Sequence, residues 1–197
     1  MYAANIGIWN TQKESIIMET TRTTTHSLTR IALMTAVLCI ISPFTIPLPF
    51  SPVPLSLATF GLYLSCYVLG MKNSAISCIL YILIGIAGIP VFSSFGSGIG
   101  KIAGPTGGYL IGYLFLVVIG GFFVEHFSDT LSLQIGGILA GTAVCYLFGT
   151  VWLAVQLHVN FTAALMIGVV PYLIGDALKI AAAVFIGRKL KSALQFL

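Results

Sequence analysis

Four stretches of this chain carry no charged residue: Ile31 to Met71, Asn73 to Gly100, Ile102 to Val124, and Thr130 to Gly175. A helix that crosses a bilayer needs about 20 predominantly apolar residues, so the first and last stretches are each long enough for two crossings and the total comes to six. The runs are continuously apolar and do not alternate in steps of two. Since a backbone in hydrocarbon must satisfy its own hydrogen bonds, helices are expected and not a barrel. The sequence therefore predicts an all-α polytopic membrane protein with spans near 28–46, 54–71, 73–92, 105–124, 131–157 and 171–188. Only 7% of the residues are charged and 58% are hydrophobic. A soluble domain carries about a quarter charged residues, so a water-covered globule is excluded.

Residues 1–27 are different: they are polar and threonine-rich ("ETTRTTTHS"). They predict a disordered tail ahead of a membrane domain over 28–197, with Met18 as an alternative start and no apolar signal-peptide core before the first span. Basic residues near span ends are retained in the cytoplasm. With the N-terminus inside, Lys13, Arg22, Arg30, Lys72, Arg188, Lys189 and Lys191 are all cytoplasmic, against Lys101 alone in an outer loop. Both termini are expected in the cytoplasm. The same residues account for the net charge of +4 without a nucleic-acid partner.

Cys39, Cys66, Cys78 and Cys145 lie within apolar spans without CxxC pairing and read as small hydrophobes. His26, His126 and His158 are scattered on the tail and at span ends. Neither set has the clustering that a metal site requires, so no metal is expected.

The stretch "FGSGIGKIAGPTGG" (Phe95 to Gly108) superficially suggests a phosphate-binding loop. It fails on spacing, because Phe95 stands where the first glycine is needed, and on chemistry, because Ile102 replaces the hydroxyl that would hold magnesium. The chain is not expected to hydrolyse ATP. Its glycines suit either a flexible connection between spans three and four or a loop that approaches a ligand closely, with Ser93, Ser94, Ser97 and Thr106 supplying hydroxyls. A second loop on the same side, "SPFTIPLPFSPVP" from Ser42 to Pro54, holds five of the eight prolines. It is stiff and apolar, as a lid would be.

Asp176 and Lys179 stand in the interior of the last span. Intramembrane charge costs at least about 2.5 to 3.5 kcal/mol per group, and three residues apart the two share one helix face. The alternatives are a structural ion pair and a ligand site. Pro171 starts the span, which places the pair roughly 8 to 12 Å below the outer surface, beneath the two loops.

The motifs "IPLPFSPVPLSL", "LYILIGIAGIPVF", "GPTGGYLIGY" and "PYLIGDALK" stand in an order and spacing that resembles the BioY family, the biotin-binding S components of energy-coupling factor (ECF) transporters. The resemblance spans about Leu28 to Lys191. It implies a six-helix substrate-binding protein of a bacterial-type cytoplasmic membrane. Such a protein captures biotin from outside and docks on a module of a transmembrane T component and two ATPases. ATP hydrolysis would then belong to separate subunits, and this chain would be no enzyme and carry no cofactor. Carried over by motif, the ligand site comprises Asp176, Lys179, Thr106, Gly107, Gly108 and Tyr109, joined by the loop hydroxyl of Ser94. The docking motif AxxxA falls on Ala32 and Ala36, where small residues four apart admit a partner helix. The chain departs from many relatives at Ala58, where they carry glutamine, and from some at Pro105, where they carry arginine.

Biotin offers two ureido N–H donors, a carbonyl, an apolar thioether ring and a carboxylate. Asp176 suits the ureido donors and Lys179 either the carbonyl or the carboxylate. Tyr81, Phe92, Tyr109 and Tyr172 are candidates to pack on the rings. The competing expectation is a stand-alone secondary carrier for biotin or a related small carboxylate, which would need its own coupling-ion site; one buried acid does not make one.

Overall fold

The computed structural model describes residues 25–49 and 51–194. The expectations for residues 1–24, including the cytoplasmic placement of Lys13 and Arg22 and the start at Met18, lie outside the described residues. The first helix, α1 (Thr25–Ile41), begins within the stretch expected to be tail and ends well before residue 46. Ser42 still donates its amide to the Leu38 carbonyl at 3.0 Å. Pro43 has no amide and disfavours helical backbone in the residue before it, so the helix stops there.

The proline-rich segment is not helical. It forms an antiparallel ribbon, β1 (Thr45–Leu48) and β2 (Ser51–Ser56), with Thr45 opposite Ser56, Leu48 opposite Ser51, and a register irregularity between Ile46 and Leu48. The stiff loop expected over 42–54 is therefore a strand ribbon, which corrects the all-α fold class: two short strands accompany the helices. A two-stranded ribbon has two open edges, and proline is tolerated where the missing amide faces away from the partner strand.

Helix α2 (Ala58–Ile86) is interrupted at Gly70, whose φ of 72° and ψ of −172° leave the helical region. L-residues other than glycine seldom adopt such a φ. At one end Leu57 donates to the Phe44 carbonyl (3.3 Å); at the other, the Gly85 carbonyl accepts from Gly98 (2.7 Å), in a loop whose Ser94 donates to Pro43 (3.2 Å). Both ends of α2 therefore lie beside the end of α1. The middle is elsewhere: the Met71 amide donates to Glu125 Oε2 at 2.9 Å, near the far end of α4 (Gly107–His126). The arms 58–69 and 71–86 thus run in opposite directions.

A short helical turn at Ser93–Phe95 and α3 (Ile99–Ala103) lead into α4, which is followed by α5 (Leu131–Leu157), α6 (Phe161–Gly168), a turn at Val170–Tyr172 and α7 (Leu173–Leu194). Asn160 caps α6 by accepting the Ala163 amide at 2.9 Å. Pro171 stands in the turn that separates α6 from α7. Ala58–Ile86, Gly107–His126, Leu131–Leu157 and Phe161–Ala193, the last taking in α6 and α7, are long and apolar enough to cross a bilayer.

Glycines draw α4 and α5 together. A Cβ on Gly141 would meet the Leu116 carbonyl at 2.8 Å, one on Gly112 the Cys145 sulfur at 2.9 Å, and one on Gly108 the Trp152 Cβ at 2.2 Å. In hydrocarbon, helices associate mainly through such close packing, because lipid tails are as apolar as the side chains. The core this leaves, including Leu38, Leu62, Leu116 and Ile138, is crossed by hydroxyl pairs: Thr35 with Ser77 and Tyr63 with Thr142, each at 3.0 Å.

Candidate functional site

A cavity lies between the hairpin and helices α2, α4, α5 and α7. Its lining includes Ser56, Thr59, Tyr81, Thr106, Tyr109, Tyr113, Thr142, Tyr146, Tyr172, Asp176 and Lys179, with Val53, Leu55, Leu110 and Leu116 as apolar wall. Each helix contributes from one stripe. On α4 and its cap these are Thr106, Tyr109, Tyr113 and Leu116; on α5 they are Thr142, Cys145 and Tyr146. These three- and four-residue spacings put polar and aromatic groups on one face of an otherwise apolar helix.

The charged pair sits at the cavity wall. Lys179 Nζ is 2.8 Å from Asp176 Oδ1, and the two side chains are 11% and 7% exposed. Three donors are available to the ammonium, and all three are engaged: Ser56 O at 2.6 Å, Thr59 Oγ1 at 3.1 Å and Asp176 Oδ1. Thr59 in turn donates to Asp176 Oδ1 at 3.2 Å, while Tyr146 donates its hydroxyl to Oδ2. The carboxylate is thus held by α2, α5 and α7, and the ammonium ties α7 to the last residue of β2. Tyr172 makes a second tie to the hairpin, donating to Ser51 Oγ at 2.8 Å and to the Val53 carbonyl. Both charges remain paired inside the protein, which removes most of the cost of burying them.

The other sequence-derived residues divide. Thr106 and Tyr109 line the cavity, and the Tyr109 hydroxyl donates to the Gly168 carbonyl at 2.9 Å. Gly107 and Gly108 face protein: a Cβ on Gly107 would stand 1.6 Å from the Ile102 carbonyl, and Gly108 packs on Trp152. Ser94 has a left-handed φ of 57° and bonds Thr45 Oγ1 at 2.9 Å; Ser93 lines the cavity in its place. That bond and an edge-on contact between Phe44 and Phe95, at 5.9 Å, join the glycine-rich loop to the hairpin side. Among the candidate ring partners, Tyr81, Tyr109 and Tyr172 are in the lining, whereas Phe92 is fully buried edge-on against Tyr81. Sequence reasoning missed Thr59, Tyr113 and Tyr146. The signal was there for Tyr146, in the recurrence of Thr142, Tyr146 and Thr150 every four residues along an apolar helix.

Ala32 and Ala36 are exposed on the outer face of α1, beside exposed Leu33 and Ile40. Gly137 and Gly141, a second small pair of the same spacing, are instead buried against α4, where a Cβ on Gly137 would meet Phe123 at 2.1 Å.

The BioY family model matches residues 13–196. Curated relatives include the biotin transporter BioY of Thermotoga maritima, 34% identical over 146 residues, with 74% of this chain and 85% of the relative covered. Another is the biotin transporter BioY of Lactococcus lactis, 31% identical over 171 residues, covering 84% and 90%. Among solved structures, the S component for biotin from an ECF-type ABC transporter superposes with a TM-score of 0.81 at 28% identity, over 87% of this chain and 93% of the other.

Proposed function

The chain belongs to the BioY family, and from that premise we propose that it takes up biotin across the membrane as the substrate-binding S component of an ECF-type transporter. The observation that carries this reading is the Asp176–Lys179 pair at the wall of a tyrosine-lined cavity closed by the hairpin. Its chemistry matches the ligand. The carboxylate accepts from ureido N–H groups, the ammonium donates to a carbonyl or carboxylate, and Tyr81, Tyr109 and Tyr113 give flat apolar faces to the rings.

A ligand that takes a donor from Lys179 takes it from Ser56, Thr59 or Asp176. Where the donor comes from Ser56, capture is coupled to release of the hairpin from α7, and the proline-stiffened ribbon acts as the lid. The reversal at Gly70 supports counting α2 as two crossings, which gives six with α1, α4, α5 and α7. The distribution of basic residues supports cytoplasmic termini and, with them, a cavity at the outer end. Transport then requires a T component, for which Ala32 and Ala36 offer a flat face on α1, and two ATPases in a bacterial-type cytoplasmic membrane. Gly107 and Gly108 serve the site by fixing the turn into α4, so that Thr106 and Tyr109 reach the cavity.

Calorimetric titration of the purified full-length chain with biotin tests the reading. Saturable binding at one site is expected; no heat and no thermal stabilisation would overturn it.

A further inference from the structure

At the end of the bundle opposite the cavity, two adjoining clefts of about 260 and 250 Å³ share Tyr67 and Lys191. Asp176 and Lys191 lie 15 residues apart on α7, so the clefts are about 22 Å from the ion pair along the helix axis. The first is lined by Arg30 of α1, Gly70 at the reversal and Glu125 of α4; the second by Asp129, Gln134 of α5 and Arg188 of α7.

Helix-end cations alone would need no explanation, since they complement the dipole of α7. Two buried groups do need one. Tyr67 and Gln134 are each 2% exposed, and the Tyr67 hydroxyl and the Gln134 Oε1 atom have no hydrogen-bond partner. Leaving a buried polar atom unpaired is costly, and a ligand that pairs it recovers that cost. Neither side chain can easily turn away. Gly187 packs on the Tyr67 ring, where a Cβ would stand 2.7 Å from the Tyr67 Cβ, and the Gln134 amide nitrogen is held by the carbonyls of Phe127 (2.9 Å) and Ser128 (2.6 Å). Of the two acids, Glu125 is engaged by the Met71 amide. Lys191 reaches the Val124 carbonyl at 3.2 Å, which leaves further N–H donors on the ammonium.

We propose that the second cleft binds a phosphate group, with Arg188, Lys191 and the Tyr67 hydroxyl donating to its oxygens and Gln134 Oε1 accepting from a hydroxyl of the headgroup glycerol or of a protonated free phosphate. Basic pockets between helix ends at a membrane surface accept lipid headgroups by this chemistry, and a free phosphate ion offers the same oxygens. The site is separate from the biotin cavity and does not depend on what that cavity holds.

Native mass spectrometry of the full-length chain, released from detergent, tests this with phosphatidylglycerol, zwitterionic phosphatidylcholine and inorganic phosphate as probes. Retention of phosphatidylglycerol over phosphatidylcholine is expected, with retention falling about tenfold in R188Q and in Y67F. Phosphate bound without phosphatidylglycerol, and lost in the same variants, would support the site and assign it to a soluble anion. Because Y67F removes a single oxygen, it keeps the test available if R188Q misfolds. Equal retention in wild type and Y67F, or no retention of any probe, would overturn the proposal.

Discussion

Lys179 Nζ stands 2.6 Å from the Ser56 carbonyl, so the final helix is fastened to the last residue of the hairpin by a cation within the apolar span. If this bond holds the lid, its loss is visible without any ligand. Lys179→Gln is expected to raise amide exchange across Thr45–Ser56 by roughly tenfold or more, the equivalent of about 1.5 kcal/mol for a charge-assisted bond. Unchanged protection of those amides would show that Tyr172 and strand pairing hold the ribbon without Lys179.

Tyr146 supplies a donor to Asp176 from a different helix than Lys179 does. Its contact is to the second carboxylate oxygen, so in the proposed site it acts through Asp176 as a positioning residue. Tyr146→Phe should weaken biotin about tenfold while leaving the melting temperature in detergent within a few degrees. A large loss of thermal stability with full affinity would make Tyr146 a packing residue.

The topology proposed from the basic residues has a direct check. Ser97 and Ser192 are both exposed and belong to opposite ends of the bundle. Cysteines placed there are expected to react with an impermeant reagent from outside and from inside respectively. Reversed labelling would put the cavity on the cytoplasmic face.

Legibility followed physical cause. The uncharged runs located α4 and α5 to within two residues at each end, because lipid demands length and apolarity and little else. The end of the first span and the start of the second missed the helix ends where prolines of 43–54 allowed both a loop and a ribbon, and strand pairing is a relation between segments that neither shows alone. The third was carried to residue 92, past the helix end at Ile86. Asp176 stood out as a charge where charge is costly. Thr59 and Tyr146 did not, since a threonine or tyrosine in a membrane helix is ordinary until a neighbouring helix brings a carboxylate to it. Gly107 and Gly108 were legible as close approaches, though what approaches them is Ile102 and Trp152.

The proposed docking uses a face of α1 that carries exposed Ala32 and Ala36 and that no other element among the described residues covers. Ala32→Trp or Ala36→Trp should abolish uptake in cells that express the T component and ATPases, because a bulky side chain holds a partner helix away. Biotin binding by the isolated protein should remain within about twofold, since both alanines point out of the bundle. Loss of binding in step with uptake would mean that this face communicates with the cavity.

The Asp176–Lys179 pair distinguishes a ligand site from a structural bridge through a double-mutant cycle. If the pair is structural, replacing one partner leaves the other charge buried without its counter-ion at about 3 to 5 kcal/mol, and replacing both restores most of the loss. If it serves biotin, Asp176→Asn and Lys179→Gln keep size and partial hydrogen bonding but lose charge assistance. Each is then expected to weaken binding by about 1.5 to 3 kcal/mol, roughly ten- to two-hundred-fold. The local contacts favour some stability loss in both singles, because Thr59, Ser56 and Tyr146 lose charged partners as well. Affinity and melting temperature therefore have to be read together. The double variant is expected to recover melting temperature but to bind no better than the weaker single. Single variants that fold and bind biotin with wild-type affinity would remove the pair from the site.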